Sequence, residues 1–205
     1  LTNAAHVLQQ RNLKREVRQN TLETCIKSLQ EDLKLSEPPR RIEAIDISNF
    51  HGDCQVGALV CMIEGIPRKN EYRAFTIREV RGPDDYACIA EVIKRRFGGL
   101  RDRGEPLPDL LVIDGGKGQL SAAVAALSDL GIALRVVGIA KRLEEIFLVG
   151  ERTPLLLPKT SASLRTLQIL RDEAHRFAIL HHRKQRDKKS IASSLDDIPG
   201  IGSKR

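Results

Sequence analysis

The chain has 205 residues, which fits one ordinary domain with attachments. Apolar residues make up 41% of it, aromatics only 3%, and tryptophan is absent, so a core of Leu, Ile, Val and Ala in a layered α/β fold is expected. A formal charge of +7 favours a polyanionic partner such as nucleic acid, although a basic protein kept soluble by its charge is the plain alternative. No apolar run reaches transmembrane length and no signal peptide opens the chain, so a cytoplasmic protein with no membrane partner is expected.

The first element is a long charged helix over residues 4–35, with Leu13, Val17, Leu22, Ile26 and Leu29 as an imperfect apolar stripe. The segment 1–40 is therefore expected to be a helical linker and buttress, ended by the double proline at Pro38-Pro39. Then the period changes. Ile42 to Ser48 alternates like a strand, Gln55 to Glu64 is strand-like, and Glu71 to Ile77 follows after Gly65 and Pro67. Three successive strands with short turns predict an antiparallel meander. Gly82-Pro83 breaks it, and Asp84 is placed to cap a helix running to about Phe97.

After a loop ending at Pro108, Asp109 to Ile113 is a short continuous apolar run, the pattern of a strand buried on both faces. Asp114-Gly115-Gly116 turns the chain into a helix over 117–130, and Leu134 to Ala140 is a second buried strand. Strand-like pieces at 146–149 and 155–157 precede a long helix over 161–186 and a basic tail. The four cysteines, Cys25, Cys54, Cys61 and Cys88, show no zinc spacing and are expected mostly as small buried residues in a reducing compartment. The chain opens on Leu1 within a helical pattern and stops at Arg205 just after a turn motif that calls for a partner helix. Both ends read as cuts in a longer protein.

The order of three meandering strands, helix, strand, helix, strand, helix is that of the ribonuclease H-like fold. Element order alone does not fix function, so the chemistry must come from particular residues. Hydrolysis of a phosphodiester places negative charge on oxygens that already repel it. Mg²⁺ or Mn²⁺ held by carboxylates relieves that charge and activates water. Asp46 lies inside an apolar strand, where a carboxylate is costly unless paired. In a ribonuclease H-like sheet its strand runs beside, and parallel to, the one ending at Asp114, so the two acids would meet around a metal. The plainer readings are an arginine salt bridge for Asp46 and helix capping for Asp114.

Gly115-Gly116-Lys117-Gly118-Gln119 opens a helix and could cradle a phosphate through its amides and Lys117, or could simply be a tight turn. It lacks the serine or threonine pattern of a Walker A loop. His175 borders the apolar stripe of the last helix, on one side with Arg171 and His182. Taken alone it is more often a surface histidine than a ligand or proton carrier. Asp84 and Asp85 start a helix, where capping and dipole complement are the usual roles.

The strings RIEAIDIS, GPDDYA, LLVIDGGKGQL, GIAK and RDEAHRFA, followed by LDDIPGIGSKR, resemble the C-terminal half of the UvrC family, the nuclease subunits of bacterial nucleotide excision repair. The match runs from Arg41 to Arg205, and the segment before it is similar to the family's linker. The resemblance implies an α/β, ribonuclease H-like endonuclease domain over 41–190 and the truncated start of a helix-hairpin-helix module over 191–205. It implies the 5′ cut beside a DNA lesion, while the family's other nuclease domain makes the 3′ cut. It places the essential acids at Asp46 and Asp114, the histidine at His175 and a further implicated acid at Asp85. Asp46, Asp114 and His175 are the implied holders of Mg²⁺ or Mn²⁺, and Gly200 and Gly202 of the hairpin would contact a DNA phosphate through backbone amides. Lys117 and Arg171 are assigned to phosphates on charge and position only. The implied partners are damaged double-stranded DNA and, through the full-length protein, the UvrB–DNA pre-incision complex. A local departure is Ala74, where the family commonly carries a second arginine. Two rival functions remain: a non-catalytic DNA-binding scaffold with this fold, and a phosphate-transferring enzyme that uses the glycine loop for a nucleotide.

Overall fold

The structure, a computed structural model, describes residues 17, 19–50, 54–80, 82–141 and 143–196, and the side chains of all of these but 49, 50, 54, 55 and 185–196. Much of the expected 4–35 helix, and the hairpin with Gly200 and Gly202, lie outside the described residues. The continuous described stretch of that helix, α1 (residues 19–32), ends where Lys34 takes a φ of 52°. The Leu35 N–H then reaches back to the Gln30 carbonyl at 2.9 Å and closes the last turn.

One seven-stranded sheet carries the fold, in the order β3-β2-β1-β5-β6-β7, with β4 pairing β2. The meander consists of β1 (Arg41–Phe50), β2 (Cys54–Ile63), the two-residue β3 (Ile66–Pro67) and β4 (Arg73–Thr76). The hairpin between β2 and β3 turns at Glu64-Gly65, both with positive φ (51° and 73°), the backbone that suits a two-residue turn between twisted strands. The remaining strands are β5 (Leu110–Asp114), β6 (Val136–Ala140) and β7 (Glu145–Leu148). β1 pairs β2 antiparallel and β5 parallel, and β6 continues parallel to β5. This is the mixed sheet expected from the sequence.

The helices α2 (Asp85–Asp102), α3 (Lys117–Asp129) and α4 (Ala162–Asp196), with α1, make two apolar layers around the sheet. α1 and α4 bury Leu29, Leu33, Leu164, Leu167, Leu170 and Ala174 with Ile42, Ala44, Leu110 and Val112 of the strands. α2 and α3 bury Ile89, Val92, Ile93, Phe97, Leu120 and Leu127 with Ile45, Leu111 and Ile113. The alternation along β1 and β5 sends successive residues to opposite layers, which is why both strands are apolar on two faces.

Several boundaries differ from the sequence expectation. The third strand does not begin at Glu71, because Lys69–Glu71 forms a 3₁₀ turn and pairing with β2 starts at Arg73. α2 runs past Phe97 through Gly98-Gly99, because Leu100 is buried at 2% exposure and holds the last turn onto the core. The expected strand at 155–157 reduces to one bridge between Ile146 and Leu155, bounded by Pro154 and Pro158. α4 continues beyond residue 186 to Asp196, since neither glycine nor proline interrupts it there. Cys61 and Cys88 are buried and Cys25 is half-buried, and none of the three is in a disulfide. No helix among the described residues is long and apolar enough to cross a membrane.

Candidate metal centre

Strand geometry brings two acids together. Counting by twos along β1, Asp46 shares the α4 side of the sheet with Ile42 and Ala44; along β5, Asp114 shares it with Leu110 and Val112. β1 and β5 are parallel with Ile45 beside Ile113. One residue further, where the pairing stops, Asp46 and Asp114 stand next to each other at the C-terminal end of β5. α4 crosses this face with Leu167, Leu170 and Ala174 packed into the core, and His175, the residue after Ala174, projects from the border of that contact. The ligand atoms of Asp46, Asp114 and His175 all lie within 4.8 Å of one another.

The two acid side chains are 5% and 6% exposed, whereas His175 is 43% exposed, so the cluster is dry on one side and open on the other. Asp46 Oδ2 accepts the Ser48 hydroxyl at 2.6 Å and lies 3.4 Å from His175 Nδ1. Asp114 Oδ2 is buried without a hydrogen bond. Lys141 Nζ approaches it at 3.1 Å as an ion pair and stands 3.5 Å from His175 Nδ1. Burial, followed by the charge and hydrogen bond of Asp46, pushes the Asp114 carboxyl from 3.8 up to about 6, and Lys141 opposes the rise.

Neither plain alternative describes these acids. Among the described residues no arginine pairs with Asp46. Arg41 of β1 and Arg96 of α2 go instead to the fully buried Glu43, which accepts from Arg41 at 2.8 Å and Arg96 Nε at 3.1 Å. Asp114 does not cap α3, whose N-cap is Gly116, with the Gly116 N–H donating to Gln119 Oε1 at 3.2 Å. Two adjacent buried carboxylates, with a half-exposed ammonium paired to only one of them, are costly as they stand. A donor set of two carboxylate oxygens and an imidazole fits a divalent cation of the Mg²⁺ or Mn²⁺ kind.

The other expected site residues fall elsewhere. Asp85 is the first residue of α2, half-buried, and it is not a member of the three-residue cluster; the cap of that helix is Asp84, which accepts from the Ala87 N–H at 3.0 Å. Lys117 is exposed at the first position of α3. Arg171 is 11% exposed, bonded to Asp172 through Nε at 3.0 Å, with its Nη1 buried and without a hydrogen bond. Lys141 and Ser48 are the residues that the sequence reading missed. Ser48 carries a legible signal, two positions along the same strand face as Asp46. Lys141 directly follows a buried strand next to β5, the edge on which Asp114 sits.

Residues 30–179 match the family model of the UvrC RNase H endonuclease domain. A UvrABC system protein C of Prosthecochloris aestuarii is 46% identical over the whole of this chain and 33% of its own length. The one of Flavobacterium johnsoniae is 48% identical over 86% of this chain and 30% of its own length. The chain thus spans about a third of the length of the curated relatives it matches. Among solved structures, Ciona intestinalis endonuclease V in complex with an inosine-containing DNA is similar over 83% of this chain and 98% of its own, with 13% identity and a TM-score of 0.49.

Proposed function

Because this chain belongs to the UvrC RNase H endonuclease domain family, we propose that it hydrolyses a DNA backbone with a divalent metal ion and makes the 5′ incision beside a lesion in nucleotide excision repair. The observation that carries the reading is the convergence of Asp46, Asp114 and His175 within 4.8 Å. Asp46 and Asp114 would hold Mg²⁺ or Mn²⁺, with His175 as third ligand or as proton carrier. When bound, such an ion neutralises charge on the phosphate and activates water.

The chain's own residues prepare the place. Ser48 holds Asp46 Oδ2 and keeps that carboxylate turned towards His175. The burial of both acids keeps competing water off one side, while the exposed face of His175 leaves the other side open to a backbone. Lys117, at the N-terminus of α3, is positioned to meet a phosphate oxygen, and the excess of Lys and Arg, 34 against 27 Asp and Glu, favours DNA as the substrate. Asp85 is assigned an auxiliary part at the sheet edge. Arg171, closed in by Asp172, would need to turn outward to touch a phosphate. Gly200 and Gly202 would add a phosphate contact from the hairpin module. The UvrB–DNA pre-incision complex is the proposed partner of the full-length protein, and the cytoplasm its compartment.

The test is nicking of a lesion-containing duplex already cut on the 3′ side, with and without Mn²⁺. Cleavage that depends on the metal and leaves a 3′-hydroxyl and a 5′-phosphate supports the reading. Tight DNA binding without any cleavage, in the full-length protein as well as in this chain, would turn it into the non-catalytic scaffold.

A further inference from the structure

We propose that the Lys141 ammonium is the resident cation of the cluster in the metal-free protein, holding Asp114 and His175 in the places from which they grip a divalent ion, and that it withdraws when the ion binds. The inference rests on the metal reading above and adds a residue to it.

The fold delivers Lys141 to this spot. β6 runs parallel to β5 with Ile139 beside Asp114, and Ile139 faces the α4 layer. Two residues further, Lys141 continues on that face at the same sheet edge. Close approach is secured at Gly138, where an added Cβ would lie 2.9 Å from the Gly115 carbonyl oxygen. The strand end and the Asp114-Gly115-Gly116 loop therefore sit against each other with no side chain between them.

The contacts of His175 Nδ1 decide how Lys141 is used. That nitrogen lies 3.4 Å from Asp46 Oδ2 and 3.5 Å from Lys141 Nζ. In a neutral ring it carries either a proton to give to Asp46 or a lone pair to offer to Lys141, and it cannot do both. With the lone pair turned to Nζ, His175 Nδ1 and Asp114 Oδ2 both present electron pairs to one positive charge. These are two of the three donors that would face a metal. An ammonium thus contacts two members of the residue set that would hold a metal ion.

A half-exposed lysine beside an acid usually contributes little. Here the asymmetry matters: the Lys141 side chain is 53% exposed and that of Asp114 only 6%. The acid has no water to fall back on, whereas the lysine has a flexible four-carbon stem and an open path to solvent. Release of Lys141 is therefore the easy motion, and the entering ion competes with it for Asp114 Oδ2. The ammonium keeps the buried pair assembled without metal and lowers the affinity of the free chain for metal.

The experiment is calorimetric titration of Mn²⁺ into the 205-residue chain and its variants, with no DNA present. Lys141→Gln, with Lys141→Ala as a second neutral variant should the first fail to fold, is expected to bind Mn²⁺ about tenfold more tightly and to melt at a lower temperature when metal-free. Lys141→Arg, which keeps the charge, is expected to bind no more tightly than the parent. Lys117→Gln removes a nearby cation that contacts none of the donors and should change the affinity less than about twofold. Equal affinity of the parent and both neutral variants would overturn the proposal, as would an equal gain in Lys117→Gln, which would make the effect one of net charge. Absence of Mn²⁺ binding in every protein would instead remove the metal reading itself, and the proposal with it.

Discussion

His175 Nδ1 stands 3.4 Å from Asp46 Oδ2 although the two residues are 129 positions apart in the chain. The contact joins the last helix to the first strand at the point where β1 and β5 cease to pair, and it makes one cluster of groups that no local segment contains. The consequences can be measured one at a time.

Asp46→Ala should abolish metal-dependent nicking, with a loss of at least about a hundredfold, and should leave DNA affinity nearly unchanged, because the carboxylate is buried and repels phosphate. A nicking assay on lesion duplex paired with a mobility-shift titration separates the two. Continued nicking by the variant would show that the roles have been misassigned.

The pH dependence follows from Asp114, whose carboxyl is raised to about 6. Metal must displace its proton below that value, so Mn²⁺ affinity should rise about tenfold per unit up to pH 6 and flatten above it. Stability of the metal-free chain runs the other way. A folded pKa above the unfolded 3.8 means that the group's contribution is fully present below about pH 4 and is lost as pH rises through 6, at most about 3 kcal/mol. Urea melts of the parent and Asp114→Asn between pH 4 and 8 read this directly: the variant should gain on the parent as pH increases.

Glu43→Gln should destabilise the chain by about 3 kcal/mol without altering Mn²⁺ affinity. Glu43 has no exposed side-chain surface and answers both Arg96, at 11% exposure, and Arg41, at 22%, so its neutralisation leaves two largely buried guanidinium groups without their shared anion. Chemical denaturation gives the stability, and calorimetry gives the metal affinity.

Gly138→Ala tests the contact between β6 and the loop after Asp114. Its new methyl would meet the Gly115 carbonyl oxygen at 2.9 Å and Leu120 Cβ at 3.5 Å. The first is backbone and cannot rotate away, so strand and loop must part. We expect a cost of about 2 kcal/mol together with weaker Mn²⁺ binding, since Asp114 adjoins the displaced residue.

Much of this architecture was legible in the sequence. The embedded Asp46, the apolar run ending at Asp114 and the change of period at residue 42 are local patterns, and local patterns reveal strands. The parallel pairing of β1 with β5 is not local; it came from the order of elements and then from family resemblance. Resemblance alone lifted His175 above an ordinary helix-border histidine, and packing explains why: its position depends on which face α4 turns to the sheet, fixed by Leu167, Leu170 and Ala174 and by the Tyr72 hydroxyl, which donates to Glu173 at 3.0 Å. Lys141 stood only inside the string GIAK of the resemblance, with no role attached, because its partners lie on β5 and α4. The double glycine at Gly98-Gly99 misled in the opposite direction, because tertiary packing of Leu100 outweighed a weak local preference.

The order in which the three ligands occur carries a further meaning. A chain is synthesised from its N-terminus and tends to fold as it emerges. The acids of β1 and β5 leave the ribosome before the histidine of α4, so a nascent chain holds a pair of acids without the group that completes their set. If that set does the cutting, this centre cannot be complete until translation has passed His175, an order written into the chain alone.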